Sequence, residues 1–237
     1  MTLRSLAVTA VATAAFGTAN AVTFDGVKIV TRAWNDNPTS TLTTTNNSPS
    51  LIQFQESFTD GTGWANQHRW WLSTDGGTTA YGWQKGTAID ISMTVELDTT
   101  NTALNSEAGF YADLYGDSKF FVRADGDVEC FGGAFNSYSW GKVYTPGTEA
   151  TLRVKYDGAS SVELFYDGIS SGVMTPGYGE KYWLDTMLLG GYAQDLVGSG
   201  NSVTSTFKNI EAVPEPVTMI ALGVGLVGIV ARRRRKG

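Results

Sequence analysis

The chain has 237 residues, of which 17% are charged, 12% are aromatic and 28 are glycine. Against about 25% charged and about 7% glycine in ordinary domains, this is a turn-rich chain with apolar material for a sizeable core, and disorder is excluded. One His and one Cys exclude an internal disulfide and a zinc centre of the common Cys/His kinds. The formal net charge of −6 hides a segregation, since five of the 17 basic residues occupy Arg232 to Lys236. Between Val22 and Val213 stand 11 Lys+Arg against 22 Asp+Glu, a net charge of −11. So acidic a body excludes nucleic acid as a partner, which requires a basic footprint.

Met1 to Ala21 reads as a secretory signal peptide. Arg4 supplies a positive start, Leu6 to Phe16 is apolar and small, and Ala19-Asn20-Ala21 fits the A-x-A cleavage rule. The mature chain would begin at Val22.

From Val22 to Val213 the pattern is that of an all-β domain, an antiparallel β-sandwich of jelly-roll type. Asp-Gly pairs begin at Asp25, Asp60, Asp75, Asp125, Asp157 and Asp167, and such pairs are strong hairpin signals. The runs between them alternate. Ile89, Ile91, Met93, Val95 and Leu97 share one face, with Asp90, Ser92, Thr94, Glu96 and Asp98 on the other. Ala150, Leu152, Val154 and Tyr156 repeat the pattern, as do Val162, Leu164 and Tyr166. About a dozen strands are expected at this spacing, with a Thr/Asn/Ser-rich loop from Asn35 to Ser50.

Several groups within the body are candidates for chemistry. Trp64, Trp70, Trp71 and Trp83 are candidate carbohydrate-binding residues, because flat rings match the apolar faces of pyranoses. Trp70 and Trp71 are adjacent, so in a strand they point to opposite faces and one is expected outside the core. Asp113, Asp117, Asp125 and Asp127 lie around two turns and are candidate calcium ligands, as hard cations take several carboxylate oxygens together. Glu96 and Asp98 share a strand face, as glycosidase carboxylates do, but Thr99, Thr100 and Asn101 follow where a second glutamate would be needed. Gly168 to Gly172 satisfies G-x-S-x-G, yet Pro176, Gly177 and Gly179 follow it in place of a helix. Cys130, between Glu129 and Phe131, reads as a small buried side chain.

The tail runs Val213-Pro214-Glu215-Pro216, then Val217 to Ala231 without a charge, then Arg232-Arg233-Arg234-Arg235-Lys236-Gly237. Fifteen residues in a helix rise about 22 Å, short of the ~30 Å hydrocarbon core but enough for a transient single span. The Arg cluster would keep the C-terminus cytoplasmic and the acidic body outside. Residues 214–237 therefore read as a sorting tail, with Pro214, Glu215 and Pro216 as its motif and Arg232, Arg233, Arg234 and Arg235 as its stop signal.

This order of elements resembles the PEP-CTERM sorting signal of Gram-negative bacteria. The resemblance implies processing near Pro214 by an exosortase, export across the inner membrane, and delivery to the cell surface or extracellular matrix. It also implies company with exopolysaccharide and biofilm assembly. In the body, the two Tyr-Asp-Gly hairpins at Tyr156 and Tyr166 and the later Leu188-Leu189-Gly190-Gly191 resemble laminin-G-like and concanavalin-like jelly rolls. The expectation is a non-catalytic carbohydrate-binding or structural protein, possessing at most calcium as a cofactor. The alternatives are a glycan hydrolase or lyase of the same fold, and a protein-binding adhesin.

Overall fold

The computed structural model describes residues 22–84, 87–113, 117–175 and 186–212, and every regular element in them is a β-strand. One sheet runs β1 (Gly26–Asn35), β4 (Ala65–Ser73), β14 (Thr186–Leu196), β7 (Glu107–Asp113), β8 (Asp117–Arg123), β9 (Asp127–Phe131), β10 (Tyr138–Lys142). β5 (Gly82–Gln84) also pairs with β14, making eight strands. The second sheet has seven, in the order β13 (Ile169–Ser170), β12 (Val162–Tyr166), β11 (Glu149–Tyr156), β6 (Ile89–Thr99), β15 (Ser202–Ala212), β3 (Leu51–Ser57), β2 (Thr41–Asn47). All pairings are antiparallel, and the expected all-β sandwich is what the chain forms.

Alternation decides which side chains meet. Ile89, Ile91, Met93, Val95 and Leu97 of β6 are all buried in the core, beside Leu152 and Val154 of β11 and Phe207 of β15. From the other sheet come Trp70, Phe110, Phe120, Val122 and Val128. Each large apolar side chain so buried contributes about 1.5–3 kcal/mol. Cys130 belongs to this layer, and burial pushes its thiol pKa up to about 12.

The Leu-Gly-Gly run has a packing reason. Gly191 faces inward beside Trp70, where a Cβ would stand 2.5 Å from the indole ring. The absent side chain lets the fully buried indole lie flat against β14. The Asp-Gly turns are uneven in role. Asp167 and Gly168 both have positive φ, 46° and 80°, and link β12 to β13 as a tight hairpin requires. Asp25-Gly26 instead opens β1, where the Asp25 carboxylate accepts a hydrogen bond from Gly76 N.

The stretch Asn35 to Ser50, expected as a loop, contains β2. Its threonines are β-branched and suit a strand, and its polar surface is tolerated because β2 is the exposed edge of its sheet. Met1 to Ala21, Pro214 to Pro216 and Arg232 to Arg235 lie outside the described residues. Among the described residues no helix is long and apolar enough to cross a membrane.

Gly191→Ala is expected to lower stability by about 1–3 kcal/mol through overpacking against Trp70, read as a reduced urea midpoint at unchanged m-value.

Candidate active site

The inner strands of the eight-stranded sheet are unusual in burying side chains on both faces. β4 has the burial of a central strand along its whole length, although it reads Ala-Asn-Gln-His-Arg-Trp-Trp-Leu-Ser. Its inward residues are Asn66, His68 and Trp70; its outward ones are Gln67, Arg69 and Trp71. Register then assembles rows across the outer face. Trp34, Gln67, Gln194, Glu107 and Arg123 form one row. Arg69, Tyr192, Gly109, Phe121 and Glu129 form the next. Trp71, Gly190, Tyr111, Lys119 and Phe131 form a third.

The aromatic members build a second apolar cluster of Trp71, Tyr111, Phe121 and Tyr192. The polar members are bonded into one network. Arg69 Nε donates to Gln67 Oε1 at 2.6 Å, and its guanidinium lies 4.1 Å from the Tyr111 ring centroid. Gln67 Nε2 and Lys119 Nζ both donate to Gln194 Oε1, at 3.0 and 2.9 Å. The Tyr192 hydroxyl donates to Glu107 Oε2 at 2.9 Å, and Lys119 Nζ stands 3.6 Å from the same oxygen. Burial raises the pKa of Glu107, against the opposing pull of Lys119 and Tyr192. Lys119 Nζ also sits 4.8 Å from the Tyr192 ring centroid. Two amides, two cations and a phenol thus converge on one patch of an acidic protein. Such a set can hold a carboxylate and move a proton beside it.

The sequence-predicted residues are distributed differently. Trp70 is fully buried between the sheets and Trp83 is buried in the same core, so neither offers a face to a sugar. Trp71 does point opposite to Trp70, as strand geometry demands, but the outer cluster covers it. Trp64 is 57% exposed and leans on the 39% exposed Trp34, ring centroids 6.1 Å apart. The four aspartates do not form one set. Asp113 and Asp117 pair at one end of the β7–β8 hairpin, while Asp125 and Asp127 follow the other end of β8. Seven residues of strand separate these ends by about 20 Å. Arg123 binds Asp125 through Nε at 2.8 Å, and also binds Asp127 and Glu129. Hydrogen bonding to that guanidinium holds the Asp125 carboxyl well below its usual range. Glu96 lies on the outer side of the other sheet, paired with Lys208 at 3.2 Å.

Among the described residues, Glu56, His68 and Asp195 form a group whose ligand atoms lie within 4.8 Å of one another, all buried between the sheets. A metal would need the lone pair of His68 Nε2. Arg32 N–H donates to Nδ1 at 3.1 Å, which puts the lone pair on Nδ1 and the proton on Nε2. The donor set therefore does not fit a metal ion.

Comparison with known proteins bears on tail and body separately. Residues 212–236 match the PEP-CTERM protein-sorting motif. The tail is a PEP-CTERM sorting signal. No curated protein matches the chain by sequence. Among solved structures, the alginate lyase from Corynebacterium sp. is 12% identical, with a TM-score of 0.51 over 79% of this chain and 93% of that one. An alginate lyase of polysaccharide lyase family 7, AlgAT5, is 13% identical, with a TM-score of 0.47 over 79% of this chain and 94% of its own. A sialidase at 9% identity and a TM-score of 0.47 is covered over only 17% of its length. At these identities the likeness is one of fold. The expectation of a non-catalytic protein is corrected to this extent: an alginate lyase has this fold, so the sandwich does not imply a protein without catalysis.

Sequence reading passed over the outer-face residues. The available signal was Gln67-x-Arg69 and Tyr192-x-Gln194, polar pairs at period two inside strands whose neighbours are apolar. Lys119→Met is expected to destabilise by about 3 kcal/mol, because it leaves Glu107 as a buried charge without its cation. Adding Glu107→Gln should recover much of that loss in a double-mutant cycle read by urea unfolding.

Proposed function

We propose that the protein is an exported enzyme that cleaves an acidic polysaccharide by β-elimination. The observation that carries this reading is the convergence of Tyr192, Gln67, Gln194, Arg69 and Lys119 on the outer face of the eight-stranded sheet. Elimination from a uronate removes the proton α to the carboxylate and expels the glycosidic oxygen at the β position, leaving an unsaturated sugar. Three demands follow. The carboxylate must be met by donors as negative charge builds on it, the α proton must pass to a base, and the leaving oxygen must receive a proton.

The amides of Gln67 and Gln194 and the guanidinium of Arg69 suit the first demand. Tyr192 suits the other two: Glu107, 2.9 Å from its hydroxyl, takes the phenol proton, the phenolate takes the α proton and passes it to the leaving oxygen, and Glu107 then returns its proton to Tyr192. Lys119, 4.8 Å from the Tyr192 ring, stabilises negative charge that develops on the phenol oxygen. Trp34 adjoins Gln67 in the same row and, with the exposed Trp64, offers rings for neighbouring sugars to stack on. Alginate, the substrate named for the matched lyases, is a polyuronate of the required chemistry. The sorting tail supports action outside the inner membrane, on polysaccharide at the cell surface or in the matrix.

Purified protein incubated with alginate and other polyuronates should generate the ultraviolet absorbance of unsaturated sugar ends. Tyr192→Phe should lower kcat by about 10²-fold or more while the protein stays folded. Absence of unsaturated ends with every polyuronate tried overturns the elimination reading; new reducing ends without that absorbance assign hydrolysis instead. For the tail, changing Pro214 and Pro216 together to Ala should leave the protein retained in the membrane fraction. Normal release of a tail-less form would contradict exosortase processing.

A further inference from the structure

Between the two sheets, Glu56 of β3 faces His68 of β4 and Asp195 of β14, all three without solvent exposure. Glu56 is fully engaged. Its Oε1 accepts from the Ser40 hydroxyl at 2.6 Å and from Asn66 Nδ2 at 2.7 Å, with the Arg32 guanidinium 3.4 Å away. Its Oε2 lies 3.0 Å from His68 Nε2. Asp195 is the opposite case: no hydrogen bond reaches either oxygen, and His68 Nε2 stands 3.5 Å from Oδ2. An ionised carboxylate left so in a dry interior is strongly disfavoured.

The imidazole cannot relieve it. Nδ1 accepts the Arg32 N–H, presented by a β1 bulge in which Arg32 has φ 54°. His68 therefore has one ring proton, on Nε2, and two carboxylates before it. Arg32 offsets one negative charge, on Glu56.

We infer that Asp195 keeps a buried proton beside His68 and the ionised Glu56, forming a proton-dependent clasp between the two sheets. The groups facing it are Arg32 from β1, Ser40 and Asn37 from the β1–β2 connection, and Asn66 from β4. Burial and the nearby Glu56 raise Asp195 to about 6, against the pull of His68. The folded cluster therefore holds a proton at pH values where an unfolded aspartate, near 3.8, has released it. Its stabilising contribution is complete below about 3.8 and is lost as pH rises through about 6.

The clasp also positions the outer face. His68 lies between Gln67 and Arg69 on β4, and Asp195 follows Gln194 on β14, so opening it displaces the donors of the opposite face. This consequence rests on the proposed elimination reading; the clasp itself does not. The three are positioning residues.

The test is the thermal midpoint of the full-length protein from pH 4 to 8, with Asp195→Asn beside it. The wild-type midpoint should carry a fall of roughly 5 °C in the lower part of this range, complete just above about pH 6, and the neutral amide of Asp195→Asn should remove most of that fall. Glu56→Gln serves as the second variant if Asp195→Asn does not fold, with the same loss of pH dependence expected. Parallel profiles for wild type and folded variant overturn the proton assignment. So does a zinc- or manganese-induced rise in midpoint that Asp195→Asn abolishes, since the cluster would then be a metal site. If a polyuronate is cleaved, kcat should fall with the midpoint in wild type and lose that extra pH dependence in the variant. Cleavage failing while the midpoint behaves as expected contradicts only the enzyme reading.

Discussion

Both faces of β4 and β14 are buried, and this constraint shapes the rest of the molecule. A strand in a two-sheet sandwich ordinarily packs one face on the core and leaves the other to water. Here these two neighbouring inner strands of the larger sheet carry a core face of Trp70, His68, Ala193 and Asp195, and an outer face of Gln67, Arg69, Trp71, Tyr192 and Gln194. Polar groups placed there must find partners within the protein. The outer set does so as an amide, guanidinium, ammonium and phenol network beside the rings of Trp71, Tyr111 and Phe121. In the inner set Glu56 meets Arg32, Ser40 and Asn66 across the sheets, while Asp195 has His68 at 3.5 Å. Both sites exist because the same strands are buried twice.

Much of the sandwich is legible in the sequence because its smaller sheet obeys the simple rule. β6, β11 and β12 alternate apolar and polar residues cleanly, and their buried faces are those the alternation designates. The tail is legible for a different reason: its parts occur in a fixed order, and residues 212–236 match the sorting motif as a unit. The β2 strand was obscured by composition, since an edge strand can be made of threonine and asparagine without an apolar stripe.

The candidate site was illegible for a physical reason. When both faces are buried, polarity no longer reports direction, and Gln67, His68 and Arg69 read as an undifferentiated polar run. The tryptophans misled in the same way. Trp70 and Trp71 do point apart, but opposite no longer means exposed when the second face has its own cluster. In the acidic turn after β8, Arg123, two residues before Asp125 and four before Asp127, supplies the charge that both aspartates meet.

Against the acidity of the body, the convergence of Gln67, Arg69, Lys119 and Gln194 on one sheet face is where a polymer that brings its own carboxylates can be gripped. The central claim is that such a carboxylate binds on the outer face of β4 and β14. The most direct measurement is a crystal structure of the protein with a uronate oligosaccharide. The account predicts a sugar carboxylate within hydrogen-bonding distance of Gln67, Arg69 or Gln194, with the glycosidic oxygen beside the Tyr192 hydroxyl. An oligosaccharide bound on the seven-stranded sheet, around Glu96 and Lys208, would contradict it.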